Sequence, residues 1–265
     1  MIGSLDHIEG ILPRMVRGIR FGVAVGAEAG LNLLLPPACA RCAADLSHRG
    51  DDLLLCDDCR ELLGPETWSG CPRCAGVGSP EDCSPEGCPL CRNTTFHFDC
   101  VITLGNYWGQ LRRVILRMKL PQGEPLSKAL GQWLARRRGP QLAEIHPDLV
   151  VPVPMHWTRR LQRGINSPEI LAGCLARHLG IPLRRRLLVR CRRTFLQTEM
   201  SPPQRFRNVR AAFRVRKSPF LQGVRVLLVD DILTTGATCS EAAKTLKKAG
   251  AAAVVVAVLA RAQGQ

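Results

Sequence analysis

The spacing of the cysteines constrains this chain more than any other feature. Ten of its thirteen cysteines fall between residues 39 and 100, and eight of those ten obey one rule. Cys39-x2-Cys42-x13-Cys56-x2-Cys59 is followed by Cys71-x2-Cys74-x13-Cys88-x2-Cys91, the same spacing displaced by 32 residues. Arg41 and Arg73 precede the second cysteine of each first pair, and Arg60 and Arg92 follow each second pair, so the segment is an internal tandem repeat. A Cys-x2-Cys pair suits a tight knuckle in which two thiolates and nearby backbone amides converge on one cation, and two knuckles complete a tetrahedral four-thiolate site. Zinc accepts four thiolates without a redox or geometric penalty and is the expected metal, with an iron–sulfur site or free thiols as the alternatives. Cys39, Cys42, Cys56 and Cys59 would hold one ion; Cys71, Cys74, Cys88 and Cys91 would hold a second, with Cys83 as a spare ligand. Disulfides would need an oxidising compartment, whereas this paired spacing is that of an intracellular metal site, which points to a cytoplasmic protein.

Large apolar residues are few in the repeats. The first has Leu53, Leu54, Leu55, Leu62 and Leu63, and the second has fewer. The segment is therefore expected to need metal in order to fold, and the sites to be structural and closed. On the expectation that the C-terminal core is separate, chelation would unfold residues 39–91 and spare the rest. Cys100, Cys174, Cys191 and Cys239 stand outside the pattern and read as small core or surface residues.

With 265 residues, 46% of them hydrophobic and 22% charged, the chain has the usage of a folded globular protein with one main domain and something smaller. The longest candidate for a spanning helix, Phe21 to Leu35, is 15 residues long and carries Glu28 and Asn32, which excludes it. Glu28 also interrupts the apolar centre that a secretory signal would require, so residues 1–38 are expected to form an amphipathic helix, roughly Ile8 to Leu34.

Charge follows the same partition as the cysteines. Residues 1–38 are neutral, residues 39–100 carry a net −6 and residues 101–265 a net +21, within a chain of +15 overall. Between Arg159 and Lys217 sixteen basic residues face only Glu169 and Glu199. Phosphates are the expected partners of the C-terminal part, on a small molecule or on nucleic acid, although a solvated basic face has the same composition. Arg184, Arg185, Arg186, Arg192 and Arg193 are the candidates for phosphate contact. The aromatics among them, Phe195, Phe206 and Phe213, are few for a stacking platform, and Phe213 reads as core.

After Cys91 strand-like and helix-like segments alternate. Val101–Leu104 reads as a strand, 111–120 and 126–138 as helices, Leu149–Pro154 as a short strand closed by prolines, 168–179 as a helix stopped at Gly180, Val224–Val229 as a buried strand, 237–249 as a helix ending at Gly250, and Ala252–Leu259 as another buried strand. Such alternation predicts parallel strands joined by helices, an α/β domain with its ligand site at the carboxyl ends of the strands. The most informative segment runs Val226-Leu227-Leu228-Val229-Asp230-Asp231-Ile232-Leu233-Thr234-Thr235-Gly236-Ala237-Thr238. A strand enters two adjacent carboxylates, then a loop of hydroxyls and glycine, then a helix. Loop amides and the helix N-terminus form an anion cradle, and the two acids can accept hydrogen bonds from vicinal sugar hydroxyls, so a sugar phosphate is the natural ligand. Neither a Gly-Lys-Ser/Thr sequence nor a three-glycine dinucleotide fingerprint is present.

This segment resembles the binding motif for 5-phosphoribosyl-1-pyrophosphate (PRPP) in type I phosphoribosyltransferases. Together with the two four-cysteine repeats, Val151-Pro152-Val153-Pro154, Arg160, Arg163-Gly164-Ile165-Asn166, Thr194, Gln197, Arg205, Asn208 and Ala212-Phe213, it is similar, in the same order, to the ComF family of competence-associated proteins over about residues 33 to 261. After the N-terminal helix read over 1–38, the resemblance implies a double zinc ribbon over 39–95 and a type I phosphoribosyltransferase fold over 96–265. It implies that Asp230 and Asp231 hold the ribose hydroxyls, and Thr234, Thr235, Gly236, Ala237 and Thr238 the 5′-phosphate. By the same resemblance, Val153, Pro154, Arg159 and Arg160 belong to the pyrophosphate loop, while Arg163, Asn166, Gln197, Arg205 and Asn208 belong to the acceptor side, with 194–213 as a hood. Mg²⁺ bound with PRPP, single-stranded DNA and a competence helicase are the further partners that it implies. The family's usual Arg-Gly-Phe-Asn-Gln is here Arg163-Gly164-Ile165-Asn166-Ser167, which removes an aromatic and an amide. Thr234 stands where 6-oxopurine transferases open the phosphate loop with an Asp, which disfavours a 6-oxopurine acceptor. Lys119 matches the family's lysine, and at a helix end it is equally readable as a solvated cation.

Overall fold

A computed structural model describes residues 36–64, 70–76, 83, 87–155, 165–192, 194, 200–216 and 221–262. The N-terminal helix expected within 1–38 therefore falls almost wholly outside the described residues, as do Arg159, Arg160, Arg163, Arg193 and Gln197. The elements are α1 (Asp57–Leu62), β1 (Cys100–Asn106), α2 (Gly109–Met118), α3 (Glu124–Glu144), β2 (Leu149–Pro152), α4 (Ser167–Leu179), β3 (Leu188–Arg190), α5 (Pro202–Val209), β4 (Phe213–Val215), β5 (Arg225–Val229), β6 (Ile232–Leu233), α6 (Ala237–Lys248) and β7 (Ala253–Arg261). The expected strands and helices after Cys91 are present with boundaries shifted by a few residues. The largest change is in α3, which runs to Glu144 with Pro140 inside it. Gly180 ends α4 in the left-handed region at φ 67, as a helix-stopping glycine does.

Strands β1, β7, β5 and β2 form a parallel sheet in that order, extended by the short β6 on the end of β7. Both faces of the sheet are covered, so its strands are apolar over most of their length, as buried parallel strands are. Ile102, Leu104, Val150, Leu227, Val229, Val255, Ala257 and Leu259 point to the face packed by α2, α3 and α4. Val101, Leu149, Val151, Val226, Leu228, Val254, Val256 and Val258 point to the other face, packed by Ala242, Ala243 and Leu246 of α6 and by Leu188 and Phe213 of the antiparallel pair β3–β4. Phe213 is core, in line with its reading from sequence.

The four-cysteine repeats do not stand apart from this layering. Leu46, Leu53, Leu55 and Leu63 of the first repeat lie in one continuous core with Leu104, Ile115, Met118, Leu130 and Leu134. Ala75 of the second repeat, and Phe98 just after it, lie in the core of the opposite face. The expectation of a separate C-terminal core is thereby corrected. Small cysteine modules with few apolar side chains reach a stable burial by borrowing surface from a larger neighbour, and each repeat borrows from a different side of the sheet.

Candidate functional site

Each tetrad is assembled by local backbone geometry that the repeat reproduces. Cys39 and Cys71 donate their N–H to the carbonyls of Ala44 and Gly76, and Ala43 and Ala75 donate to the carbonyls of Cys39 and Cys71. Ala43 and Ala75 both adopt positive φ, 64 and 53, which turns the chain so that both sulfurs of a knuckle face one point. The Sγ atoms of Cys39, Cys42, Cys56 and Cys59 all lie within 4.8 Å of one another, and so do those of Cys71, Cys74, Cys88 and Cys91. Individual separations of 3.5 Å (Cys42–Cys56), 3.8 Å (Cys71–Cys91) and 3.7 Å (Cys74–Cys88) match the spacing of about 3.8 Å for four sulfurs at tetrahedral corners about 2.3 Å from zinc. Both tetrads are thus compatible with structural zinc. The spare Cys83 is not part of the second tetrad. Despite burial, which raises a thiol, backbone N–H groups hold Cys39 down to about 6 and Cys71 down to about 7, so the first sulfur of each repeat is prepared as a thiolate.

The repeats part company at their arginines. Arg41 donates through Nη1 to Cys59 Sγ at 3.3 Å and through Nη2 to Gln110 at 3.0 Å, linking the first tetrad to α2. Asp51 and Asp52 pair with Arg136 on α3. The equivalent Arg73 donates to the carbonyls of Cys91 (3.2 Å) and Thr94 (2.9 Å), and its guanidinium lies 5.6 Å from the centre of the Phe96 ring. In the second repeat the arginine closes its own module, and an aromatic makes the outward contact.

At the carboxyl end of β5 the two acids face opposite ways. Asp230 Oδ1 accepts the N–H of Asp231 at 2.8 Å, and Asp230 Oδ2 accepts the thiol of Cys239 on α6 at 3.7 Å. Burial, then repulsion from Asp231, push Asp230 up to about 7 against the pull of Lys119 and Arg190. Burial and the neighbouring Asp230 push the Cys239 thiol well above its ordinary value, which keeps it a donor. Asp231 Oδ2 pairs with Lys119 Nζ at 2.8 Å, from the residue that caps α2. Of the two readings of Lys119, the structure favours the site residue over the solvated cation.

The loop after the acids turns at Gly236, whose φ of 80 lies in the left-handed region and which caps α6. Thr235 Oγ1 accepts the N–H of Ala237 at 3.5 Å, and Thr234, Thr235 and Thr238 keep partial exposure at the helix N-terminus. Val153 donates its N–H to the carbonyl of Val229 at 2.8 Å, so the root of the loop that begins Val153-Pro154 lies beside the acids. Asn166 instead sits at the start of α4, with Nδ2 donating to Glu169 at 3.2 Å, and lines a groove of about 480 Å³ between α3 and α4 with Glu124, Lys128 and Arg177. This groove shares no lining residue with the acid pair and its loop, where the chemistry is concentrated. On α5, Arg205 Nε donates to the carbonyl of Met200 at 2.9 Å, and the main-chain carbonyl of Asn208 accepts from Arg192 at 2.8 Å.

Four residues of this region escaped sequence reasoning. Cys239 reads as core because its neighbours are apolar. Phe96 lies between the cysteine repeat and the first strand. Arg261 ends an apolar strand, and Arg190 stands in an arginine-rich stretch. A charged residue closing a run of eight apolar ones, as Arg261 does, was the one available signal.

Residues 169–265, from α4 to the C-terminus, match the phosphoribosyl transferase domain family. The chain is 30% identical over 229 residues to competence protein F of Haemophilus influenzae, covering 84% of this chain and 96% of that protein. The chain belongs to the competence protein F (ComF) family. A further member, the DNA utilization protein YhgH of Escherichia coli, is 32% identical over 238 residues, covering 86% of this chain and 99% of its own length. Competence protein ComFC of Bacillus subtilis is 31% identical over 118 residues, 43% of this chain. ComF membership and the parallel sheet flanked by helices establish the type I phosphoribosyltransferase fold with cysteine tetrads at its N-terminal side. Among the described residues no helix is long and apolar enough to cross a membrane.

Proposed function

We propose that this ComF protein binds PRPP at the carboxyl end of β5 and transfers its phosphoribosyl group to an acceptor, in the cytoplasm and in the service of DNA uptake. The observation that carries the reading is the continuous run from β5 through Asp230 and Asp231 into a loop that turns at Gly236 onto the N-terminus of α6. Backbone N–H groups of Thr235 to Thr238 and the threonine hydroxyls would take the 5′-phosphate, where the helix N-terminus favours negative charge. The two carboxylates would accept hydrogen bonds from the ribose hydroxyls. Lys119 balances one of them, Asp231, through its 2.8 Å ion pair.

The reaction would break the bond between the anomeric carbon and the diphosphate while an acceptor nucleophile forms a new one there, and the diphosphate leaves with the bonding electrons. Mg²⁺ bound with PRPP near Asp230 and Asp231 would supply neutralisation of the departing charge. Positioning and charge neutralisation supply the rate in such a scheme, since the leaving group is already good. Val153 and Pro154, with Arg159 and Arg160 beyond them, are the residues we assign to the diphosphate; Arg163, Asn166, Gln197, Arg205 and Asn208 are assigned to the acceptor side. With Thr234 opening the phosphate loop, a 6-oxopurine is a poor acceptor.

Calorimetry with PRPP and Mg²⁺ tests the reading. Zinc-loaded protein should bind, Asp231→Ala should lose at least tenfold in affinity because a buried sugar hydroxyl loses its acceptor, and a phosphate-only ligand should be less affected. Absence of PRPP binding by the loaded protein would refute it. Tight binding with no diphosphate release against a panel of acceptors would turn the reading toward a non-catalytic PRPP sensor.

The names of the relatives and the surplus of basic residues favour a second activity, contact with single-stranded DNA and through it with a helicase of uptake. Arg184, Arg185, Arg186 and Arg192 are exposed. Binding through phosphates would fall steeply with salt and show little sequence preference, which a salt titration with labelled oligonucleotides would check.

A further inference from the structure

The second tetrad is built into the wall of the phosphate loop, through two independent contacts. Arg261, at the end of β7, is buried, and its Nε donates to the carbonyl of Cys74 at 2.9 Å, a residue of the tetrad itself. Its Nη1 donates to the carbonyl of Leu233 at 3.1 Å and to those of Thr234 and Ala262. One rigid guanidinium fork thus joins a metal-site backbone to the first residues of the loop. Phe96 makes the second contact. A Cβ placed on Gly236 would come within 2.8 Å of Phe96 Cε1, so the ring lies directly against the turn. Phe96 is held in turn by Phe98 (ring centres 4.6 Å apart), by Arg73 of the second repeat and by Phe206 on α5 (6.5 Å). His97 anchors the same segment by donating its N–H to Ser240 Oγ on α6 at 3.1 Å.

The tetrad geometry is also tight. Gly87, at φ 117, leaves no room for a side chain, since a Cβ there would lie 2.5 Å from Cys91 Sγ. Four cysteine sulfurs are drawn to this spacing by a cation that all of them bind, so the positions of Cys74, Arg73 and the segment leading to Phe96 depend on the metal. Among the described residues the first tetrad has no corresponding contact: Arg41 bonds to Gln110 and Arg117 on α2 and Asp51 pairs with Arg136 on α3, on the other face of the sheet.

We propose that metal loading of the second tetrad and phosphate binding by the loop are coupled, with Arg261 and Phe96 as the positioning residues that carry the coupling. The proposal rests on the PRPP reading of the loop. Metal in the tetrad fixes the Cys74 carbonyl and Phe96; these fix the carbonyls of Leu233 and Thr234 and the turn at Gly236; and the loop's N–H groups then converge on a phosphate without further ordering. Linkage makes the effect mutual, so a phosphate ligand must tighten the metal of the second tetrad by the same factor by which that metal tightens the ligand.

Reciprocity supplies the test. Zinc transfer from the full-length zinc-loaded protein to a competing colorimetric chelator would be titrated to equilibrium, with and without PRPP and Mg²⁺. Cys88→Ser identifies the transfer step that belongs to the second tetrad. PRPP should raise the zinc affinity of that step roughly 5- to 150-fold, the usual range of coupling between two sites, and leave the other step unchanged. Arg261→Lys keeps the charge but loses the fork, and Phe96→Leu keeps an apolar contact but loses the stacking. Either should bring the two titration curves together while the protein still carries two zinc ions. PRPP that binds, by calorimetry, yet shifts neither step or both equally would overturn the coupling alone. Failure of the loaded protein to bind PRPP at all would overturn the reading beneath it as well.

Discussion

The two four-cysteine repeats share their spacing, their knuckle hydrogen bonds and their left-handed alanines, yet they occupy opposite faces of one sheet. The first repeat is a packing module. It contributes Leu46, Leu53, Leu55 and Leu63 to the core that α2, α3 and α4 form, and it is pinned there by Arg41, Arg117 and Arg136. The second contributes little apolar area, but it reaches the phosphate loop through Arg261 and Phe96. Duplicating a metal knuckle therefore does not duplicate its role. A knuckle fixes only its own few residues, and what those residues touch decides whether metal stabilises a core or shapes a site.

The acids repeat the same division. Asp231 looks toward the first repeat's face, where α2 supplies Lys119, and Asp230 looks toward the face of α6, where Cys239 donates to it. The pair thus sits where the two faces meet at the end of β5. Burial, then the neighbouring Asp231, raise the Asp230 carboxyl, which also accepts the buried thiol of Cys239.

The largest effect is expected in the first repeat. Leu53→Ala removes a fully buried side chain from the shared core and should cost about 2–5 kcal/mol of global stability. Thermal or urea unfolding should show one transition shifted as a whole; a separate early transition confined to the repeat would break the claim of a continuous core. PRPP affinity measured well below the transition should be unchanged.

Next in size is Gly236→Ala, which adds strain in the left-handed region and a Cβ against Phe96. A loss of PRPP affinity of about tenfold is expected, from roughly 1 kcal/mol of backbone strain plus the clash. In a Phe96→Leu background the same change should have a smaller effect, because the atom it meets is gone. A double-mutant cycle with no coupling between residues 96 and 236 would show that the second repeat does not press on the loop.

A third effect concerns pH. Asp230 is raised from its unfolded value of 3.8 to about 7, so the folded chain binds the extra proton between those values. The sign follows: stability contributed by the neutral carboxyl is present at about pH 4, declines as pH rises, and is lost above about 7. PRPP binding should move the other way and strengthen as pH rises through about 7, where Asp230 becomes a full acceptor. Asp231→Asn removes the repulsion and should shift the midpoint of the stability profile downward. An unchanged midpoint would assign the whole shift to burial.

Much of this was legible in order along the chain. Four-cysteine spacing, the apolar strands and the Asp-Asp-loop-helix segment are local patterns, because a knuckle, a buried strand and a phosphate-binding turn are each built from residues within a few positions of one another. Lys119 is open to two readings in the sequence, since its partner Asp231 is more than a hundred residues away. Arg261 could not be read as a site residue at all, because its bond to the Cys74 carbonyl spans 187 positions.

By itself the sequence determined that there would be two cysteine tetrads, a parallel α/β sheet and an Asp-Asp-loop-helix segment at the end of β5. Only the tertiary structure decided which repeat would face the loop, and that the first would share the main core. The physical reason lies in the strands' period of two. Alternate residues of β5 and β7 present nearly identical apolar faces on both sides of the sheet, so nothing in the local pattern distinguishes one side from the other. The choice is made by long-range partners, Arg136 and Gln110 for the first repeat and Arg261 and Phe96 for the second.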